Sequence, residues 1–418
     1  MDAAGAARGS GGTLAPRRPW RGRRVVLGVC GGIAAYKVAQ LARDLTQLGA
    51  EVDVALTQSA RSFVGPVTFE GLTGRPVVSD IIAPGHALDH IRLAKAADVV
   101  CIAPATADFL ARAAQGRADD LITAILLATR APVLICPAMN DAMWAHGQTR
   151  ANVAHLTQTI GYRLVGPATG PLAFGEGQGP GRLEEVATIV EHIGRALETP
   201  GPLEGRRIIV TAGPTEEAVD PVRVLTNRSS GRMGFALASA AWRRGADVLL
   251  IAGPTALAPP PGPEFQRVNT AEQMARAVGS AVRDADVLIM AAAVADFRPA
   301  QPADDKIKKS ARPDAIPLEG APDVLEVTRV HRAERLIVVG FALETSDGRM
   351  NAKAKLEAKG MDLIVLNSAS EPGAGFEVET NRVTLFDRSG QEDDLPLLPK
   401  TEVAEVILDR VQQIVRAR

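Results

Sequence analysis

The sequence predicts an α/β protein with two doubly wound, parallel-sheet (Rossmann-like) domains. Apolar runs such as VVLGVC, EVDVALT and DVVCIAPA alternate with stretches of helical periodicity, which is typical of a parallel sheet covered by helices. The same alternation begins again at Arg207, after a Pro/Gly-rich segment around Pro200. The length of 418 residues also fits two or three domains. We therefore expect a disordered tail over 1–22, one domain over 23–199 and a second over 203–418.

Composition excludes several classes of protein. Aromatic residues make up only 4% of the chain and hydrophobic residues 46%, so the cores are built from small aliphatic side chains. A net charge of −1 provides no general attraction to nucleic acid or acidic membranes, and no apolar run approaches the roughly 18 residues of a membrane span. Three cysteines fit neither a disulfide framework nor a CxxC metal site, which indicates a cytoplasmic protein. The arginine-rich N-terminus lacks the apolar segment of a secretory signal, and a transit peptide is the alternative to a tail.

Small and polar residues mark the strand ends of the first domain. GVCGGIAAYK places Gly31 and Gly32 after one strand, APATADF places Thr106 after another, and CPAMNDAMW places Asn140 after a third. LDHIRLAKAAD sets His90 at the start of a helix. Taken singly, such a His or Asn is more often a cap or a core residue than a catalytic group. Together, at the edge where parallel strands end, they predict a ligand site.

The second domain opens with the buried-strand pattern RIIVTAG and continues to the loop NRSSGRMG, which precedes a helix. Loops of this kind leave backbone N–H groups free at a helix N-terminus and hold phosphate well. The loop is neither a Walker A motif nor GxGxxG. Further along, TALAPPPGPEF and GFEVETNRVTLFDRSG predict loop and hairpin insertions, and Glu402–Arg418 predicts an amphipathic packing helix.

Nine motifs together resemble one family. They are GGIAAYK, HIRLAKAAD, APATADF, PAMNDAMW, TAGPTEE with DPVR, NRSSGRMG, AAAVADFRP, KIKK and GFALET. The chain resembles the bifunctional phosphopantothenoylcysteine decarboxylase/phosphopantothenate–cysteine ligases of bacterial coenzyme A synthesis, from about Arg24 to Arg416. The resemblance implies ligation of 4′-phosphopantothenate to L-cysteine with CTP, through an acyl cytidylate. It also implies FMN-dependent decarboxylation of the product, which begins with oxidation of the cysteine thiol and yields 4′-phosphopantetheine.

The resemblance assigns roles in the first domain. FMN would be lined by Gly31, Gly32, Ile33, Thr57, Ala105 and Thr106. His90 would assist the redox and decarboxylation step, and Asn140 would hold the substrate carboxylate or its neighbouring amide. The family's flap, ACGxxGxGRM, carries a proton-donating cysteine, but this chain reads LAFGEGQGPGRL with Phe174 at that position. Because phenylalanine cannot donate a proton, we expect oxidative decarboxylation to persist. The reductive return would be slowed, or would use water or Glu176.

The resemblance also assigns roles in the second domain. The phosphates of CTP would be bound by Lys306, Lys355 and Lys359. Its cytosine and ribose would lie in a pocket formed by Ala292, Pro322, Asp323, Val324, Leu325 and Phe341. Asp296 would bind the nucleotide or its Mg²⁺ (or Mn²⁺). Asn227 would hold the acyl cytidylate, and Ser229, Ser230 and Gly231 the substrate phosphate. For Lys308 and Lys309, a solvated face is an equal alternative.

Three other interpretations remain open. The first domain could be an FMN-binding scaffold beside an active ligase, given Phe174, although His90 and Asn140 argue against it. The chain could be an inhibitory flavoprotein module, but such modules carry acidic tails and this one ends in VQQIVRAR. A generic NAD(P) dehydrogenase lacks its fingerprint. The resemblance further implies a homo-oligomer, trimeric through the first domain and dimeric through the second, with no nucleic-acid or membrane partner.

Overall fold

The computed structural model describes residues 18–81, 87–308, 315–344, 348–368 and 378–418. The chain divides into two compact units, Met1–Ile193 and Gly194–Arg418. Within the described ranges, no helix is both long enough and apolar enough to cross a membrane.

The first unit is built on a five-stranded parallel sheet with the strand order β2-β1-β3-β4-β5, as the alternating pattern predicts. A two-stranded antiparallel hairpin, β6–β7, follows the sheet. The elements in chain order, through the last helix at the division between the units, are β1 (Arg24–Val29), α1 (Ala35–Gln47), β2 (Glu51–Leu56), α2 (Pro66–Thr73), α3 (Asp89–Ala96), β3 (Val99–Ala105), α4 (Ala107–Ala114), α5 (Leu121–Ala128), β4 (Val133–Pro137), α6 (Asp141–Ala145), α7 (Gly147–Ala154), β5 (Arg163–Leu164), β6 (Ala168–Pro171), β7 (Gln178–Arg182) and α8 (Val186–Glu198).

The central strands of this sheet are buried on both faces. Val26, Val100 and Ile135 pack in one apolar core with Phe109 of α4 and Ile122 of α5. This is why these strands read as continuous apolar runs instead of alternating ones. Because the strands are parallel, their carboxyl ends share one edge of the sheet.

The prediction of a disordered tail over 1–22 is wrong for its last residues. Trp20 is 2% exposed, its N–H donates to the carbonyl oxygen of Leu48, and its carbonyl oxygen accepts the N–H of Arg23. Burial of one large ring anchors this segment, although its composition resembles that of a linker. Residues 1–17 lie outside the described part of the chain.

The second unit carries a sheet with the order β12-β11-β8-β13-β16-β17-β19-β20, in which the last two strands are antiparallel. Its elements are β8 (Arg207–Ala212), β9 (Glu216–Ala218), β10 (Val224–Thr226), α9 (Arg232–Arg243), β11 (Asp247–Ala252), β12 (Glu264–Arg267), α10 (Ala271–Ala281), β13 (Val287–Met290), β14 (Phe297–Pro299), β15 (Leu318–Gly320), α11 (Val324–Thr328), β16 (Ile337–Glu344), α12 (Gly348–Ala358), β17 (Leu363–Ser368), β18 (Thr380–Asn381), β19 (Val383–Asp387), β20 (Glu392–Asp394), β21 (Leu398–Pro399) and α13 (Lys400–Ala417).

Helices cover both faces of this sheet, as a doubly wound fold requires. Ile208 and Val210 of β8 point into a core shared with α9 and α13. Ile209, between them, points into a second core shared with α10, α11 and α12. The predicted packing role of the C-terminal helix is confirmed by the burial of Val403 and Ile407 against α9.

Two predicted insertions are instead strands of the main sheet. Glu264 and Phe265, expected in a loop, belong to β12, which pairs in parallel with β11. Val383–Asp387, expected in a separate hairpin, forms β19 and pairs with β17 as well as with β20. Proline-rich and polar neighbours obscured these strands, whose pairing partners lie elsewhere in the chain.

Candidate active sites

In the first unit, the β1–α1 turn packs directly on the segment after β2. A Cβ atom added to Gly31 would lie 2.4 Å from the Oγ atom of Ser59, so only glycine fits there. Gly32 lies beside Thr106, with 3.8 Å between its ideal Cβ position and Cγ2. The glycines and hydroxyls that the sequence placed at separate strand ends are therefore neighbours in space.

The hydroxyl groups at this edge cap local turns. Thr106 begins α4 and accepts the N–H of Phe109 over 3.3 Å, and Thr57 accepts the N–H of Ala60 over 3.2 Å. The Oγ1 atom of Thr57 also lies within hydrogen-bond distance, 3.2 Å, of the Oγ atom of Ser59. Ile33 is 64% exposed, whereas Ala105 is buried and its carbonyl oxygen accepts the N–H of Ala138. Ala105 therefore offers no exposed surface in this structure.

His90 and Asn140 have polar atoms that the fold leaves for a ligand. His90 is the second residue of α3, and its Nδ1 atom is buried without a hydrogen-bond partner among the described residues. Asn140 caps α6, and its Oδ1 atom accepts the N–H of Ala142 over 2.8 Å. Because this bond occupies the Oδ1 atom, the Nδ2 group is the part of the Asn140 side chain that can donate to a ligand. An orphaned buried imidazole nitrogen is the strongest indication of a site in this unit.

Phe174 lies at the tip of the β6–β7 hairpin, which we call the flap hairpin (residues 168–182). Its side chain is fully exposed, and the turn around it is closed by hydrogen bonds from Leu172 to Gly177 and from Glu176 to Ala173. The base of the hairpin rests on the segment that carries Asn140, because Gly179 closely approaches Asp141. The flap is therefore an ordered hairpin with an anchored base.

The second unit contains a cavity of about 590 Å³ at the carboxyl ends of its strands. We call it the second-unit cavity. The predicted ligase residues that line it are Asn227, Ser229, Ser230, Gly231, Ala292, Asp296, Pro322, Asp323, Val324, Leu325, Phe341, Lys355 and Lys359. Tertiary structure thus brings together segments that are spread over more than 130 positions of the chain. Of the ligase residues named from the sequence, Lys306 is the exception.

Hydrogen bonds shape the wall formed after β13. Asn227 donates its Nδ2 group to the carbonyl oxygens of Val294, over 2.8 Å, and Ala293. The hydroxyl of Thr215 accepts the N–H of Ala295 over 2.9 Å. These bonds hold the AAAVAD segment open along the cavity and use the amide of Asn227 as a structural donor.

The NRSSG loop forms the N-terminus of α9 as predicted. Gly231 is the N-cap residue, with φ of +77°, and among the described residues no side chain caps the helix. The carbonyl oxygen of Ser230 accepts a hydrogen bond from Thr255, and the Oγ atom of Ser229 accepts the N–H of Gly231. The first N–H groups of a 12-residue helix are the natural partners for an anion at this end of the cavity.

Lys359 and Asp323 form an ion pair on the opposite wall. Asp323 also caps α11 by accepting the N–H groups of Leu325 and Glu326. Burial opposes ionisation of this carboxyl, but Lys359 and the two N–H groups outweigh it and lower its pKa. Lys355 lies one helical turn before Lys359, so both lysines reach the cavity from α12 and its C-terminal end.

Lys306 does not line the second-unit cavity. It is exposed on a segment tied to the turn at Asp220, which accepts the N–H of Ile307 over 3.1 Å. Burial raises the pKa of the Asp220 carboxyl, but hydrogen bonds from Val222, Ile307 and Arg223 outweigh this and lower it. Lys308 is likewise exposed, and Lys309 lies outside the described residues.

Sequence reasoning missed five polar or charged residues of the cavity wall. They are Arg228, Arg232, Asn367, Asn381 and Lys400. The two arginines stood within a motif that had already been identified, so their charge was available as a signal. Asn381 stood in a segment interpreted as an insertion, and Lys400 stood just before the predicted packing helix Glu402–Arg418, where nothing local distinguishes it.

Comparisons with known proteins define the class. The family model described as "Flavoprotein" matches residues 14–198, and the model described as "DNA/pantothenate metabolism flavoprotein C-terminal domain" matches residues 203–415. The chain thus combines a flavoprotein domain with the C-terminal domain of a pantothenate-metabolism flavoprotein.

Full-length relatives identify the family. The chain is 48% identical over 404 residues to the "Coenzyme A biosynthesis bifunctional protein CoaBC" of Mycobacterium tuberculosis, covering 93% of this chain and 96% of that protein. It is 42% identical over 397 residues to the protein of that name from Vibrio vulnificus, covering 94% and 98%. A solved C-terminal domain of such a protein is 37% identical, with a TM-score of 0.45, and covers 52% of this chain and 100% of that one.

The chain belongs to the family of coenzyme A biosynthesis bifunctional proteins. It is a bifunctional enzyme with a flavoprotein decarboxylase domain and a ligase domain. The resemblance drawn from the nine motifs is confirmed.

Proposed function

We propose that the second-unit cavity ligates 4′-phosphopantothenate to L-cysteine at the expense of CTP. The observation that carries this proposal is the gathering of Asn227, Asp296, Lys355 and Lys359 around one cavity with a helix N-terminus at its end. In the first step, the carboxylate oxygen of phosphopantothenate attacks the α-phosphorus of CTP, and pyrophosphate leaves. In the second, the cysteine amine attacks the acyl carbon and CMP leaves.

Charge supports this assignment. Among the described residues that line the cavity, the cations are Arg228, Arg232, Lys355, Lys359 and Lys400, and the anions are Asp296 and Asp323. An excess of positive charge in a partly enclosed site stabilises the negative charge that moves onto pyrophosphate. The mixed apolar wall formed by Phe341, Pro322, Val324 and Leu325 is suited to a base and ribose.

Asp296 is the proposed protein ligand of the Mg²⁺ ion. No group of three or more His, Cys, Asp or Glu side chains that could hold a metal occurs within the described ranges. Mg²⁺ commonly uses only one or two protein carboxylates together with substrate phosphates and water, so one carboxylate beside the nucleotide would be enough. Asp296 is exposed at the cavity edge, where it can reach such an ion.

For the first unit, we propose FMN as the flavin. The residues present fit it, because Gly32 presents no side chain beside Thr106 and the Nδ1 atom of His90 is buried without a hydrogen-bond partner among the described residues. A bound flavin would supply the two-electron oxidation of the substrate thiol that makes loss of the carboxylate easy. His90 would hold or move a proton at its imidazole, and Asn140 would donate its Nδ2 group to the substrate carboxylate or amide.

We propose that both activities operate in this chain, in the order ligation and then decarboxylation. Membership in the bifunctional family and the retained His90 and Asn140 support an active first unit over a scaffold. The exposed tip of the flap hairpin gives water direct access to the position of Phe174, so a solvent proton can replace the missing thiol. We also propose that the protein forms a homo-oligomer and acts in the cytoplasm.

Mass spectrometry of the product tests this proposal. The purified protein is incubated with 4′-phosphopantothenate, L-cysteine, CTP and Mg²⁺, and we expect 4′-phosphopantetheine. Accumulated phosphopantothenoylcysteine, or a product two hydrogens lighter than phosphopantetheine, would contradict complete function of the first unit. Absence of any cysteine adduct would contradict the ligase assignment.

A further inference from the structure

One end of the second-unit cavity combines two residues outside every motif, Lys400 and Asn381, with Arg232 of the NRSSGRMG motif. Lys400 opens α13, lines the cavity and is only 7% exposed. It follows β21 directly, and β21 pairs with β18 so that Asn381 lies opposite Leu398. Arg232, the first residue of α9, lines the same cavity. Lys400, Asn381 and Arg232, which we call the Lys400 corner, therefore meet beside the NRSSG loop.

Two cations lie close together in this corner. Burial and the neighbouring charge of Arg232 lower the pKa of Lys400, against the smaller effect of Glu379. Glu379 pairs with Arg232 over 3.2 Å, but its side chain is 82% exposed and faces solvent. Two neighbouring cations give this end of the cavity a positive potential. The corner therefore favours an anionic group of a ligand.

Asn381 provides a second, independent indication. Its side chain is 1% exposed, and its Oδ1 atom has no hydrogen-bond partner among the described residues. Buried polar atoms without partners are rare and mark positions that a ligand or water completes. Because an amide can exchange its oxygen and nitrogen by a half turn, Asn381 can also offer N–H donors to an acceptor.

We infer that Lys400 and Arg232, with Asn381, form a phosphate-binding subsite of the ligase cavity. This inference rests on the proposed ligase function. Two substrates carry the required group, the phosphomonoester of phosphopantothenate and the β,γ-phosphates of CTP. Three kinds of donor converge on it: the ammonium of Lys400, the amide of Asn381 and the N–H groups at the start of α9. The subsite would position its substrate without entering the chemistry.

Steady-state ligation by the full-length protein tests the subsite. Lys400→Gln should raise the KM for one substrate by about 10- to 100-fold, with a smaller change in kcat, because it removes a hydrogen bond to a charged group. Lys400→Arg should recover most of the loss. Lys353→Gln is the matched control, since Lys353 is exposed, pairs with Glu392 over 3.2 Å and does not line the cavity.

The two phosphate sources give different results. A raised KM for CTP, together with weaker inhibition by pyrophosphate, assigns the subsite to the nucleotide. A raised KM for phosphopantothenate, together with reduced discrimination against unphosphorylated pantothenate, assigns it to the phosphomonoester. Unchanged values for both substrates and for pyrophosphate inhibition, within twofold of wild type, would overturn the inference.

A second variant guards against misfolding. Asn381→Asp keeps the size of the side chain and adds a negative charge, which should weaken the same substrate at least as much as Lys400→Gln does. Thermal unfolding of each variant separates loss of structure from loss of binding. If the wild-type protein shows no ligation, the proposed function fails. Calorimetric titration with inorganic pyrophosphate or phosphopantothenate, comparing wild type with Asn381→Asp, then still decides whether the subsite exists.

Discussion

Gly181 and Met139 are joined backbone to backbone. The N–H of Met139 donates to the carbonyl oxygen of Gly181 over 2.8 Å, and a Cβ atom on Gly181 would lie 2.3 Å from the carbonyl oxygen of Met139. Because Met139 precedes Asn140, this contact anchors the flap hairpin to the segment that presents a predicted catalytic side chain. Flap position and Asn140 orientation are therefore coupled.

Substituting Gly181 should impair decarboxylation selectively. Gly181→Ala forces a side chain into backbone at a φ of +142°, and we expect decarboxylation to fall by about tenfold or more. Ligation should persist, because its cavity lies in the other unit. Separate assays of the two half-reactions check this. Gly147→Ala, with nothing within 4 Å of the added atom, should be silent, and equal effects of the two variants would refute the coupling.

Phe174→Cys should accelerate formation of 4′-phosphopantetheine from phosphopantothenoylcysteine. A thiol restores a proton donor, and a positioned general acid is typically worth about 10²–10⁴ in rate. The side chain is fully exposed, so stability should change by no more than about 0.5 kcal/mol. Stopped assays with mass detection measure the rate. Phe174→Ala is the control, and an equal gain in that variant would show that relief of bulk, not proton donation, is responsible.

Asn227→Asp should abolish ligation and leave decarboxylation intact. A carboxylate cannot donate to the carbonyl oxygens of Ala293 and Val294, and it adds negative charge where the acyl cytidylate is proposed to lie. Product analysis with CTP, and separately with preformed phosphopantothenoylcysteine, distinguishes the two activities. Retained ligation would exclude Asn227 from the reaction.

Glu405→Ala should destabilise the second unit by about 3–5 kcal/mol, since it breaks a buried ion network. Glu405 of α13 pairs with Arg243, the last residue of α9, and with Arg244, which follows it, and the Arg244 pair is separated by 2.6 Å. Urea denaturation followed by tryptophan fluorescence measures the change, because Trp242 lies in α9. The exposed pair Glu272–Arg276 supplies the comparison: Glu272→Ala should cost less than about 1 kcal/mol. Equal losses would mean that burial does not set the strength of the α9–α13 network.

Asp120 should make the first unit acid-sensitive. Burial opposes ionisation of this carboxyl, but the N–H of Thr123 and the guanidinium of Arg112 outweigh it and lower the pKa of Asp120. A lowered folded-state pKa adds stability above the unfolded value of about 3.9, and this stability is lost as pH falls through the folded value. Asp120→Asn keeps the helix cap and loses the charge. Its deficit in unfolding free energy relative to wild type should therefore be present at pH 7 and shrink in acid. A deficit independent of pH would contradict this assignment.

Local patterns were sufficient for most elements. Apolar runs predicted the central strands, because a strand buried on both faces needs apolar side chains at every position, as in Ile208, Ile209 and Val210. The small-residue loop before α9 predicted a helix N-terminus, because only glycine readily adopts the conformation of Gly231. The prediction failed for strands whose place in the fold depends on pairing with a distant strand. β19 and β12 joined the main sheet because partners were available there, and the propensity of their own residues did not reveal it.

The sequence by itself determined the fold class and the family and supplied the candidate residues of both sites, since periodicity and motif composition are local properties of the chain. Only tertiary structure decided which charges share a cavity. Lys306, within a motif, lies outside the second-unit cavity, whereas Lys400, within an ordinary amphipathic helix, is buried inside it. Such placement depends on contacts between segments distant in sequence, which strand pairing and helix packing establish and residue type alone does not specify.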